Sequence, residues 1–348
     1  MPLPKRKAMV WLWSCVIGIT RALALTLVVS ALAGFCATNP AQAAAKIRIG
    51  ILQFGTLSWV LDTIQQNGFD KAEGIELEVV PLASTQAAKE GLQNGSLDLI
   101  ASDWLWVSRE RSLGADFTFA PFNTELGAVM VPPASPIKSL DDLRGKTMGV
   151  AGGPIDKSWL ILVAYTLRVA FFDLRTATTP VFGTAPLLAD QAVQHKLDAV
   201  LEYWPYAAQL EAKGFSRLIA IEDLPLELGA KGRVAMVGYV FSEAWAKANP
   251  AAIEGFLRAA GKANELLASS DEEWQRIRPL VQAGDDATFE ALKRYYREGI
   301  PHRSVAENEA DAEVLYQFLR VLGGEKLVGP GINLAPGTFW GLRGPIKR

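Results

Sequence analysis

The sequence predicts an α/β protein of two lobes, each a mostly parallel sheet flanked by helices, with C-terminal helices packed on the lobes. Three observations carry this. Short apolar, β-branched runs alternate with helix-like segments twice over, the pattern of parallel sheets. Leu97–Trp104, LDLIASDW, is echoed one hundred residues later by Leu197–Trp204, LDAVLEYW, with Leu, Asp and Trp identical. After Phe241 the strand pattern stops and helical periodicity takes over.

Residues 1–45 are different in kind. Lys5, Arg6 and Lys7 form a basic start, an apolar stretch broken by Arg21 comes next, and Ala41-Gln42-Ala43 is a small-residue cleavage site. The expectation is a cleaved secretory signal, outside the fold. Neither apolar half reaches the roughly 20 residues that a membrane span needs. Cys36 comes after Phe35 rather than after the Gly or Ala of a lipoprotein signal.

Lys46–Leu52 then reads as a strand, with β-branched residues alternating with basic ones. Gly55-Thr56-Leu57-Ser58 turns into a helix that runs to about Gly68, with Ser58 a candidate cap. Ile75–Leu82 is a second strand. Ser84-Thr85 opens a helix that stops at Asn94-Gly95, and Leu97–Ala101 is a third strand. Phe117–Pro133 is extended and leads through Pro132-Pro133-Ala134-Ser135-Pro136, read as the crossing to the second lobe.

The order then repeats. Thr147–Ala151 is a strand, and Gly152-Gly153-Pro154 turns into a helix with Pro at a first helical position, running to about Phe172. Thr179–Phe182 is a strand, and Thr184-Ala185-Pro186 opens the helix before LDAVLEYW. Val234–Phe241 is the return strand. Asn249-Pro250 starts a helix with Ile253, Phe256, Leu257, Ala260 and Leu267 on one face; Ala287–Glu298 and Glu307–Leu322 behave alike, and the Gly- and Pro-rich tail from Gly329 is loop. The expected division is residues 46–133 with 236–348 as the first lobe and residues 134–235 as the second.

Composition narrows the function. Four of the 35 basic residues and none of the 37 acidic ones fall in the first 45 positions, leaving the rest acidic by about −6, with no basic run to hold a nucleic acid. Both cysteines, Cys15 and Cys36, lie in that first segment, so residues 46–348 carry no thiol or disulfide. Their two histidines are His195 and His302, which leaves little scope for a His-rich zinc site or a Ser-His-Asp triad. No cofactor is expected, and no enzyme: carboxylate chemistry between Asp103 and Glu202 is the one obvious catalytic route.

Ligands of open α/β sheets sit beyond the carboxyl ends of the strands. Ser102-Asp103-Trp104 and Glu202-Tyr203-Trp204 are therefore the expected walls of one cleft. Trp104 and Trp204 have the alternative of covering strand ends, Glu202 of a hinge salt bridge, and Asp103 of capping the next helix. Asp98 and Asp198 read as structural. Asp156 and Lys157 sit at a helix start, where an acid favours the dipole.

Ser135–Gly149, SPIKSLDDLRGKTMG, resembles the segment after the first crossing in type II periplasmic binding proteins of ABC importers, in the nitrate/taurine/sulfonate and thiamine-precursor group. Gly68–Glu78, GFDKAEGIELE, and Phe241–Phe256, FSEAWAKANPAAIEGF, are similar to two further stretches of that group, and together the likeness spans most of residues 46–270. The resemblance implies a two-lobed, monomeric periplasmic receptor that closes on a small solute and docks on the permease and ATPase subunits of an importer.

Candidate solute contacts are Thr56, Leu57, Ser84, Thr85, Gly153 and Thr184 at helix starts, with Asp103, Trp104, Glu202, Tyr203 and Trp204 at the strand ends. Helix N-termini with hydroxyls hold anions such as sulfonate or nitrate. Two carboxylates among aromatic faces instead favour a cation or aromatic amine, and that is the expectation here. The alternatives are a metal-ion receptor using Asp103, Asp156 and Glu202, and an accessory protein of the same fold that binds a periplasmic partner enzyme.

Overall fold

A computed structural model describes residues 44–52 and 55–341. The expected secretory segment lies, but for Ala44 and Ala45, outside them. Among the described residues no helix is long and apolar enough to cross a membrane.

The first half supplies β1 (Ala45–Leu52), α1 (Leu57–Gln66), α2 (Phe69–Ala72), β2 (Ile75–Leu82), α3 (Thr85–Gln93), β3 (Leu99–Asp103), α4 (Trp104–Ser112) and β4 (Phe117–Asn123). The second supplies β5 (Gly127–Val131), β6 (Thr147–Ala151), α5 (Lys157–Arg168), α6 (Leu174–Ala177), β7 (Thr179–Gly183), α7 (Ala185–Val193), β8 (Ala199–Tyr203), α8 (Trp204–Ala212), β9 (Ser216–Ala220) and α9 (Leu224–Glu227). The chain ends with β10 (Val237–Ser242), α10 (Glu243–Ala248), α11 (Pro250–Ser269), α12 (Asp271–Val281), α13 (Asp286–Glu298) and α14 (Val305–Val328).

Two five-stranded sheets result, ordered β2-β1-β3-β10-β4 and β7-β6-β8-β5-β9. The strands β1, β2 and β3 run parallel, as do β6, β7 and β8. In each sheet one strand is antiparallel to both neighbours: β10 between β3 and β4, and β5 between β8 and β9. Each of these two strands has just arrived from the other lobe. A chain that comes across the cleft meets its new sheet at the end where the parallel strands finish, so it runs against them.

This moves the first crossing. It lies at Thr124–Leu126, before β5, and the Pro-rich stretch 132–136 is only the loop that leaves β5. The apolar run GAVMV is buried at every position, and an all-apolar strand carries no sign of which sheet it joins. A second correction concerns α5. It starts at Lys157 with Asp156 as its cap and stops at Arg168, while Pro154 stays in the preceding turn.

The one-hundred-residue echo is a structural repeat. Asp98 accepts from the backbone N–H of Arg48 (2.8 Å), and Asp198 accepts from that of Thr147 (2.8 Å), so each ties its own strand to the neighbouring parallel one. Leu97 and Leu197 fill the space that a side chain on Gly50 and Gly149 would occupy, with approaches of 2.6 and 2.7 Å. Of the C-terminal helices, α11 and α12 pack on α1, α13 on α8, and α14 on both α4 and α5, so they cover both lobes.

Candidate functional site

Two contacts join strand ends and helix starts of opposite lobes: Asp103 with Lys157, and Trp59 with Trp204. On the first lobe, Ser84 caps α3 by accepting from Ala87 N–H (3.1 Å), and Thr85 beside it is exposed. Thr56 occupies the cap position of α1 without a side-chain cap bond, while the Ser58 hydroxyl donates to the Gly55 carbonyl (2.7 Å). Thr56, Leu57 and Thr85 together line a small cavity of 120 Å³ against Gly50, Leu52 and Ala101, beyond the end of β1. Leu57 itself is buried in the core.

At the end of β3, Asp103 caps α4 by accepting from Trp106 N–H (2.9 Å). Its other oxygen accepts from the Lys157 ammonium at 3.3 Å, and Lys157 belongs to the second lobe. The lobes therefore meet through an ion pair. Lys89 on α3 lies over the Trp106 ring, 4.8 Å from its centroid, and its charge also acts on Asp103. Burial drives the Asp103 carboxyl upward, but Lys157, Lys89 and the Trp106 N–H outweigh it and leave it below the usual carboxylate range. Asp103 in turn holds the Lys157 ammonium above its ordinary value. Lys89 is pushed down, chiefly by burial.

On the second lobe, Asp156 caps α5 through Ser158 N–H (2.9 Å) and accepts from the Tyr203 hydroxyl (2.9 Å). Burial, then Asp156, raises the Tyr203 phenol, which stays a donor. Gly152, at φ 89°, makes this approach possible, because a side chain there would stand 2.7 Å from the Tyr203 oxygen. Gly153 and Thr184 lie at the mouths of the adjacent turns, and Thr184 is exposed with no cap bond of its own.

The aromatic expectations separate. Trp204, at the first position of α8, meets Trp59 of α1 across the lobes with ring centroids 6.1 Å apart at 79°. Trp59 also packs on Trp274 and Tyr296 of the C-terminal helices. Both tryptophans of the echo are buried rather than open cleft walls, Trp204 at 7% exposed against Trp59, and Trp104 at 0% against Phe339.

Glu202 also differs from expectation. It is 0% exposed, and neither carboxyl oxygen has a hydrogen-bond partner among the described residues. Burial pushes it up to about 9, so it is neutral at ordinary pH and presents no charge to a solute. Among the described residues no group of three His, Cys, Asp or Glu is placed to hold a metal ion, so Asp103, Asp156 and Glu202 do not form one ligand set. Sequence reasoning passed over Lys89 and Trp59, and noted Lys157 only as a neighbour of Asp156. Each sits in or near the first turn of a helix that comes after a parallel strand, the one signal that could have raised them.

Two lobes, each with an antiparallel strand received from the other, define the type II periplasmic-binding-protein fold. The chain belongs to the NMT1/THI5-like family, whose model matches residues 63–273. It is similar in fold to the periplasmic aliphatic sulphonate binding protein SsuA of Escherichia coli, with 22% identity, a TM-score of 0.67, and 86% of this chain and 94% of that one covered. The alkanesulfonate-binding protein SsuA of Xanthomonas axonopodis pv. citri bound to MOPS aligns at 19% identity and a TM-score of 0.61, covering 85% and 98%. The desulfurization enzyme DSZB aligns at 17% identity and a TM-score of 0.57, covering 80% and 92%. A search of curated proteins found no match.

Proposed function

We propose that this protein is a periplasmic solute receptor that closes on a small organic solute and delivers it to the permease of an ABC importer, with no covalent chemistry of its own. The family and the fold support the receptor role. The observation that carries the solute class is the ion pair between Asp103 and Lys157 across the lobes. A solute wedged between them has to meet a carboxylate on one side and an ammonium on the other. A zwitterion satisfies both at once, whereas a singly charged solute leaves one of them without a partner. The pair is largely buried, with 29% of the Lys157 and 16% of the Asp103 side chain exposed, so a solute that parts it has to replace the partner of each ion.

This revises the preference for a pure cation or aromatic amine. That preference rested on two cleft carboxylates, and only Asp103 is charged and at the surface of the cleft. Trp59 and Trp204 are both buried, so their contact joins the lobes and leaves little ring surface for a solute.

Thermal unfolding with an aminoalkanesulfonate, the matching alkanesulfonate and the matching alkylamine tests the reading. Ligand at 100 times its dissociation constant stabilises by about 2.7 kcal/mol. The aminosulfonate should give that shift, and Lys157→Met and Asp103→Asn should each lose most of it; Asn keeps the cap of α4. An equal shift with the plain sulfonate would refute the zwitterion reading. Silence with every small solute would favour a partner-binding role for the same fold.

A further inference from the structure

We infer that Glu125 and Glu222 share one proton between the two segments that cross from lobe to lobe, and that this proton ties those segments together and resists opening of the lobes. The proposal concerns the hinge and does not depend on the identity of the solute.

Glu125 lies in the middle of the first crossing, and Glu222 starts the path from β9 to the second. They are 2% and 1% exposed. One oxygen of each is accounted for. Glu125 Oε1 accepts from the Arg233 guanidinium at 2.9 Å, and Arg233 stands just before β10 on the second crossing. Glu222 Oε2 accepts from the backbone N–H groups of Leu126 and Gly127, both at 3.3 Å, on the first crossing. The remaining oxygens, Glu125 Oε2 and Glu222 Oε1, are fully buried and receive no N–H or O–H from any other group among the described residues. The bonds to Leu126 and Gly127, the two residues that come next after Glu125, hold the Glu222 carboxyl beside that of Glu125. Two bare carboxylates side by side in a dry site repel, and one proton shared between them turns the repulsion into a bond.

The surrounding charges do not remove that need. Arg233 is divided between Glu125 and Asp223, with 2.7 Å to the latter. Arg217 of β9 acts on the pair from further off, but it is engaged by Glu211 and Glu298 and bonds the Tyr295 hydroxyl. Arg303, behind the pair, donates to the Arg233 carbonyl and pairs with Asp311. From the end of α13 the Gly299 carbonyl reaches the first crossing, where it accepts from Thr124 N–H. Burial first, then the charge of Glu222, pushes the Glu125 carboxyl up to about 9, against the pull of Arg233 and Arg217.

The proton therefore joins the first crossing, through Leu126 and Gly127, to the second, through Arg233. A hinge motion turns about these segments. Loss of the proton leaves two facing carboxylates that opening relieves by letting water in. Because the carboxyl is raised, the clamp is present below about pH 9 and is lost as pH rises through that value.

Small-angle scattering of the full chain without solute, across neutral to alkaline pH, tests this. Chains carrying Glu202→Gln should be used, so that the other raised carboxyl is silent. The radius of gyration should rise with a midpoint near pH 9. Adding Glu125→Gln, whose amide donates to Glu222 without a proton from solvent, should abolish that rise. Expansion in parallel, or no expansion in either chain, overturns the proposal. Should the double variant fail to fold, infrared spectra of Glu202→Gln alone decide: a protonated-carboxyl band at neutral pH that vanishes on alkalinisation supports the shared proton, and its absence at neutral pH overturns it.

Discussion

Replacing Glu202 by Gln should stabilise the protein, and by an amount that grows with pH. In the fold the carboxyl is wholly buried without a partner among the described residues and ionises only near 9, against an ordinary value of 4.5. Between those values the unfolded chain sheds a proton that the folded chain keeps, so stability is greatest below the ordinary value and falls as pH rises towards 9. At about pH 7 the gap of roughly 2.5 units above the ordinary value corresponds to about 3 kcal/mol. At about pH 5 it is below roughly 1 kcal/mol. Glutamine has the same shape and no charge to lose, so the variant escapes this slope. For a chain of this length the difference reads as roughly 5–10 °C in Tm at neutral pH. The assay is calorimetric unfolding of both proteins from about pH 5 to about pH 8. The slope from Glu125 is common to both and cancels in the difference. Parallel curves would refute the reasoning: Glu202 would then be ionised in the fold and close to a cation, which would restore the case for a positively charged solute.

The repeat and the crossing carry two further expectations. Asp98→Asn should destabilise by about 1–2 kcal/mol in urea titration, because Asp98 holds both the backbone and the guanidinium of Arg48, whereas Asp198→Asn should stay below about 1 kcal/mol, since the exposed Asp198 holds a single backbone N–H. Gly127→Ala should lower soluble yield and Tm by the equivalent of about 4 kcal/mol or prevent folding, since Gly127 has φ 149° and its Cβ would clash with the Glu202 carbonyl oxygen. An unchanged Tm would mean that β5 pairs with β8 in another register.

Much of the candidate site was legible as places and little of it as roles. In sequence Asp103 reads both as a ligand and as a cap; the structure uses it as the cap of α4 and as the partner of Lys157. Its partner was hidden because a lysine in the first turn of α5 gives no hint of which acid it meets on the other lobe. Trp104 and Trp204 look equivalent in sequence. They part because α4 lies under Phe339 and the C-terminal segment, whereas α8 faces Trp59. Glu202 ends an apolar strand run, and sequence alone does not tell whether the last polar residue of such a run reaches the cleft or stays beneath it.

The elements and their repetition could be read from the chain without its fold. Alternation of apolar runs, helix starts such as the Ser84 cap, Asn249-Pro250 and Ala185-Pro186, and the LDxxxxxW echo are local properties, and local backbone preferences and burial periodicity enforce them. Where the chain changes lobes, which of two matching tryptophans meets the other lobe, and which carboxyls keep their charge became visible in three dimensions alone. Each of these depends on what stands opposite in space. A strand of uniform burial joins whichever sheet offers it a free edge, and a carboxyl ionises or not according to the water and cations that the rest of the fold leaves within its reach.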